Sequence, residues 1–224
     1  MPDLRRRVLT ALRLDRTPGF NYSGNFLGAR FPELSPGRVS VEIDQGSHCE
    51  DQHGHTDIGA ISLVADVAMG CVVRANLSPE QRLATVSLSL QFTGVPMCGA
   101  VRAQGEFQNF VDGVDSRQGL SRVSLYADGR QALFGSGAFM VMNPPPGRSM
   151  YPIVNAVHDG TPPLDEDELE ADEAELLARA DRALYAAGGE RGFLRHFWGF
   201  LPWATADGAH CRAYNGPQLG NRVG

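Results

Sequence analysis

The run GAISLVADVAMGCVV at residues 59–73 decides the fold. It is too long for one strand, contains no proline and is rich in alanine, so it predicts a helix. Apolar residues occupy nearly its whole circumference, so other elements have to enclose it. As a helix it spans about 22 Å, too short for a bilayer. Its single charge is Asp66. A lone carboxylate on such a helix is costly unless it is hydrogen-bonded or faces a wet cleft, which makes Asp66 a candidate functional group.

Strand patterns flank this helix. At 85–92, Val86, Leu88, Leu90 and Phe92 alternate with Thr85, Ser87, Ser89 and Gln91, the period of a strand. Further strand-like runs follow at 101–110, 122–127 and 131–142. The Asp128-Gly129 pair between the last two predicts a tight hairpin, whose central residues must tolerate positive φ. Upstream, Val39, Val41 and Ile43 mark a strand over 38–44, and an amphipathic helix is expected over 3–14. Four consecutive strands without crossover helices imply an antiparallel sheet. The expected fold is α+β: a hotdog arrangement, with an antiparallel sheet wrapped around one long central helix.

The 224 residues are 42% hydrophobic and 21% charged, the balance of a globular chain. A net charge of −6 argues against sequence-blind nucleic-acid binding. All 20 basic residues are arginine, which excludes lysine as a Schiff base, general base or P-loop residue within this chain. Cys49, Cys71, Cys98 and Cys211 form no CxxC pair, so reduced thiols and no disulfide framework are expected. With neither a signal-peptide pattern nor a membrane-length apolar run, the expected location is the cytoplasm. Residues 1–143 hold 14 acids and 13 arginines, whereas 144–224 hold 12 and 7. Asn143-Pro144-Pro145-Pro146-Gly147 divides the two parts. A domain is therefore expected over 1–143, followed over 144–224 by a proline-rich linker, an acidic helix and an aromatic segment.

Residues 47–57, SHCEDQHGHTD, hold three of the six histidines and precede the central helix. Thr56 or Asp57 is placed to cap it, leaving the first N–H groups near Ile58 and Gly59 free for an oxygen. Gly59 would allow a substrate to approach the backbone closely. The order Asp51-x-x-Gly54-x-x-Asp57-Ile58-Gly59, followed by Ala65-Asp66-Val67-Ala68-Met69-Gly70, resembles the PaaI-like hotdog thioesterases. That family reads Asn-x-x-Gly-x-x-His-Gly-Gly, then a helix with Ala-Asp-x-Ala. TVSLSLQF resembles the strand after that helix, and GSGAFMV at 135–141 resembles the family's last strand; the likeness covers about residues 20–142. The resemblance implies hydrolysis of an acyl-CoA thioester without a cofactor. Asp66 would be general base or nucleophile, and the Gly59 amide would polarise the carbonyl. Asp51 stands where the family has Asn and Asp57 where it has His, two departures that put turnover in question. His55 would supply an imidazole if the loop is reshaped. The resemblance further implies a cleft between two subunits of a homodimer, or between pseudo-dimer halves. There Asp66 would face the Thr85–Phe92 strand of the partner unit, and Thr85 or Ser89 would orient the water.

Two other functions stay open. With both motif positions changed, the fold could serve as an acyl-CoA binder without turnover. His53-x-His55-x-Asp57 also fits the opening of a metal-hydrolase signature, but position 58 is Ile rather than His. In the tail, a helix is expected over 164–187 with a solvated acidic face, followed by the aromatic cluster Phe193, Phe197, Trp198, Phe200 and Trp203. Gly28-x-x-x-Pro32, Gly37 and Asp51-x-x-Gly54 are echoed by Gly199-x-x-Pro202, Gly208 and Asn221-x-x-Gly224. The echo raises the expectation of a second hotdog repeat that begins in the tail.

Overall fold

The computed structural model describes residues 3–17, 19, 21–114, 116–143, 160–212 and 216–219. The chain runs α1 (Asp3–Asp15), α2 (Tyr22–Leu27), β1 (Arg30–Leu34), β2 (Arg38–Ile43), α3 (Ile58–Arg74), β3 (Arg82–Phe92), β4 (Val101–Asp112), β5 (Arg117–Ala127) and β6 (Arg130–Met142). Two helices follow, α4 (Ala171–Ala187) and α5 (Phe193–Trp198), then the hairpin β7 (Leu201–Thr205) and β8 (Gly208–Arg212).

Strands β1 to β6 form one antiparallel sheet in the order β1-β2-β4-β5-β6-β3. It curls around α3, which touches β2 through β6. Helix α3 buries Ala60, Ile61, Val64, Ala65, Ala68, Met69, Val72 and Val73 against it. This is the hotdog arrangement expected from the sequence. The Asp128-Gly129 turn joins β5 to β6 with both φ values positive, 48° and 74°. Among the described residues, no helix is long and apolar enough to cross a membrane.

Several expectations need correction. Strands β3 and β5 begin earlier than predicted, at Arg82 and Arg117, and the sequence reading missed α2 and β1. The tail helix starts at Ala171 rather than 164. A short 3₁₀ turn at Glu166–Glu168 precedes it, and Leu169 between them is extended. A continuous helix would stack like charges at i, i+3 and i, i+4 spacing. The break creates two N-termini instead, where Glu168 and Glu173 accept from the Asp165 and Glu170 N–H groups. The acidic face is also less solvated than expected. Arg5 pairs with Glu166 and Asp181, Arg13 with Glu168 at 2.9 Å, and Arg16 with Glu173 at 2.5 Å. Buried residues of α4 and α5 join those of α1, α2 and α3 in one hydrophobic cluster. Residues 144–159, which hold most of the expected linker and His158, lie outside the described residues.

His48 is buried at 7% exposure, with its ring edge-on to Phe26 at 6.3 Å. Burial, then the neighbouring Arg7 charge, pushes its pKa from 6.5 down to about 3. The unfolded chain therefore binds this proton more tightly, and stability is lost as pH falls from 6.5 towards 3. Denaturant titrations should show a loss approaching about 1.4 kcal/mol per pH unit, and His48→Gln should flatten it. An equal slope in both proteins would contradict this account.

Candidate active site

Asp57 caps α3 from an extended backbone (φ −60°, ψ 142°), and its Oδ1 accepts from the Gly59 N–H at 2.7 Å. The expectation that both first amides are free therefore needs correction. Gly59 is engaged, whereas no acceptor faces the Ile58 N–H among the described residues. Burial raises the Asp57 pKa, the Gly59 bond opposes the rise, the Asp51 charge adds to it, and the Arg195 charge works against it.

Asp66 sits two turns further along α3. The Thr85 hydroxyl on β3 donates to its Oδ1 at 3.0 Å. A bulge between Thr85 and Ser87 interrupts the β3–β6 register here, shifting the inside-outside alternation of β3. Thr85 thus belongs to the same chain as the Asp66 it meets. Burial raises the Asp66 pKa, and the Thr85 bond only partly offsets it.

Asp66, Asp57, Ile58 and Gly59 line one cavity of about 640 Å³ together with Leu63, Leu88, Trp198 and Phe200. Its walls are mostly apolar, and Asp57 and Asp66 are the two carboxylates among them. A second cavity of about 600 Å³ adjoins the first, sharing Asp57, Ile58 and Arg195 with it. It contains Asp51, His53, His55, Arg191 and His196. Asp51 organises the loop: its Oδ1 accepts from the His53 N–H at 2.8 Å and the His55 N–H at 3.0 Å. The His55 imidazole lies 3.9 Å from Asp51, in the second cavity rather than beside Asp66. Gly54 holds the turn with φ 78° and its carbonyl accepts from Gln45. Ser89 is exposed on β3 and lines neither cavity. The predicted residues thus fall into an Asp66–Thr85–Gly59–Ile58 group and an Asp51–Gly54–His55 loop, with Asp57 between them. No three His, Cys, Asp or Glu side chains cluster as a metal site among the described residues.

The sequence reading gave no role to Arg195, Trp198 and Phe200. The signal was the aromatic run itself, which has to pack on something; it packs here. The Trp198 ring lies 3.2 Å from where a Gly59 side chain would begin, so α5 closes the cavity over the start of α3.

No protein-family model matches the chain. A Pseudomonas aeruginosa protein described as putative esterase PA0474 is 32% identical over 102 residues, covering 45% of this chain and 72% of that protein. The BH2602 protein of Bacillus halodurans, whose crystal structure was solved with CoA, is 20% identical. That match covers 64% of this chain and 93% of the other, with a TM-score of 0.54. A thioesterase-family protein from Silicibacter pomeroyi is 23% identical over 61% of this chain and 98% of its own, with a TM-score of 0.48.

Proposed function

The chain belongs to the same family as the putative esterase PA0474 of Pseudomonas aeruginosa, and on that premise we propose that it is a PaaI-like hotdog thioesterase that hydrolyses an acyl-CoA thioester to free acid and CoA. One observation carries the reading: Asp66, with its raised pKa and its Thr85 partner, opens into an apolar cavity that ends at the first turn of α3. The acyl chain occupies that cavity; because Ile58 and Asp66 stand about 12 Å apart along α3, the thioester carbonyl lies between the Ile58 N–H of one unit and Asp66 of the other in the paired cleft that the family resemblance implies. The positive end of α3 and that free donor stabilise the oxygen as it becomes negative. Asp66 takes a proton from a water molecule while the water oxygen bonds to the carbonyl carbon. The C–S bond then breaks, and the proton held by Asp66 passes to the departing thiolate. Attack by Asp66 itself, through a mixed anhydride that water opens, gives the same products. Thr85 orients the carboxylate. Asp57 and Asp51, in place of imidazole and amide, hold the cap and the loop.

The bond between Asp57 and the Gly59 amide favours a second reading, an acyl-CoA binder without turnover, because it occupies one donor the reaction would use. Thiol release separates the two readings.

The pH profile tests the role of Asp66. A general base must be ionised, so kcat/KM should rise with pH through the raised pKa of Asp66, with its acid midpoint above the ordinary 3.8. A midpoint at or below that value would remove Asp66 from the role.

A further inference from the structure

The tail repeats the beginning of the chain. In each part a long helix precedes a six-residue helix, which ends on a left-handed glycine and runs into a short hairpin. The first copy is α1, α2, Gly28, β1 and β2; the second is α4, α5, Gly199, β7 and β8. Gly28 and Gly199 cap α2 and α5 with φ values of 68° and 72°. The Arg7 Nε of α1 donates to the Phe26 carbonyl at 2.5 Å, and the Arg179 Nε of α4 donates to the Phe197 carbonyl at 2.7 Å. Leu4, Val8 and Ala11 on α1 match Leu176, Ala180 and Ala183 on α4, all buried.

The copies pack as a local two-fold would place them. The equivalent rings Phe26 and Phe197 meet at 5.4 Å. On either side the swapped pairs Tyr22–Phe197 and Phe26–Phe193 lie at 6.4 and 6.0 Å. Reciprocal contacts of this kind characterise an isologous interface between like units. The second copy thus packs on the first through equivalent residues, and it carries α5 to the cleft.

Arg195 is where the second copy departs from the first. Its counterpart in α2 is Gly24, and it borders both cavities beside Ile58. Arg191 is engaged by Glu50 at 3.5 Å, but Arg195 is exposed and has no ion pair among the described residues. A chain of net charge −6 without lysine has placed a solvent-exposed guanidinium, facing the longer-range charge of Asp57, where a substrate would pass from the apolar cavity into the polar one. An arginine there suits a phosphate, which it can grip with two parallel hydrogen bonds.

We propose that residues 171–212 are a second copy of the 3–43 module, packed against the first about a local two-fold, and that its Arg195 binds the phosphate-bearing carrier arm of the thioester as that arm leaves the cleft. The inference rests on the thioesterase reading and extends it to residues outside the hotdog layer. The test compares an acyl-CoA with the same acyl group on N-acetylcysteamine, which carries no phosphate. In Arg195→Ala the preference for the CoA ester, as a ratio of kcat/KM values, should fall about tenfold or more, and Arg195→Lys should recover part of it. An unchanged ratio, including equal losses on both substrates, would overturn the proposal. If neither ester is hydrolysed, the thioesterase reading fails by itself and calorimetric titration with CoA decides. Binding weakened about tenfold in Arg195→Ala supports the carrier site; equal binding, or none by the wild type, overturns it.

Discussion

Asp66→Asn is expected to lose thioester hydrolysis by about a thousandfold in kcat/KM, the middle of the range for removing a general base. Asparagine keeps the shape and can still accept the Thr85 hydroxyl, but it cannot take a proton from water. The same change should raise the melting temperature at neutral pH. Burial raises the Asp66 pKa, so the folded chain holds that proton more tightly than the unfolded one. The resulting cost to stability is absent below the ordinary 3.8, grows as pH rises through the raised value, and is fully present at neutrality. Asparagine carries no charge and removes it. Activity assays and thermal melts on one preparation check both halves. Wild-type rates in the mutant would end the assignment, and a lower melting temperature would contradict the burial argument.

Gly105→Ala should be among the most damaging single-methyl changes in the fold. Gly105 lies in β4 between Val39 of β2 and Val123 of β5, and a Cβ there would stand 2.3 Å from the Ala68 carbonyl oxygen and 2.6 Å from its carbon. Both are backbone atoms of α3, so no side chain can rotate away; helix and sheet would have to separate. Overpacking costs typically 1–3 kcal/mol, and here about 3 kcal/mol or more is expected, lowering the melting temperature by on the order of 10 °C. Gly37→Ala is the control, since a Cβ there meets nothing within 4 Å. If both variants melt within a degree or two of the wild type, α3 does not lie on the sheet as described.

The parts of the fold legible in the sequence are those whose signal is local. Helix α3 announces itself by an apolar circumference without proline, and the Asp128-Gly129 turn by residues suited to positive φ. Helix α2 has no such signal: six residues do not form a stable helix alone, and this one depends on the Asn21 cap and on rings of α5 far along the chain. At the site, Asp66 stands out as a charge where none belongs. Its pairing with Thr85 depends on a bulge that the alternation of β3 gives no reason to expect. Asp57 was readable as a cap, but which amide it takes is set by backbone angles rather than residue type. The local two-fold shows in sequence only as an echo of glycines and prolines; the reciprocal ring contacts emerge when the two copies meet.

Thiol release by the purified chain from acyl-CoAs with short, long and aryl acyl groups is the most direct test of the central claim. The account predicts free CoA and the matching carboxylic acid in equal amounts, well above the uncatalysed rate, from at least one class. No release from any of them, while CoA esters still bind, would show an acyl-CoA binder and contradict hydrolysis at Asp66.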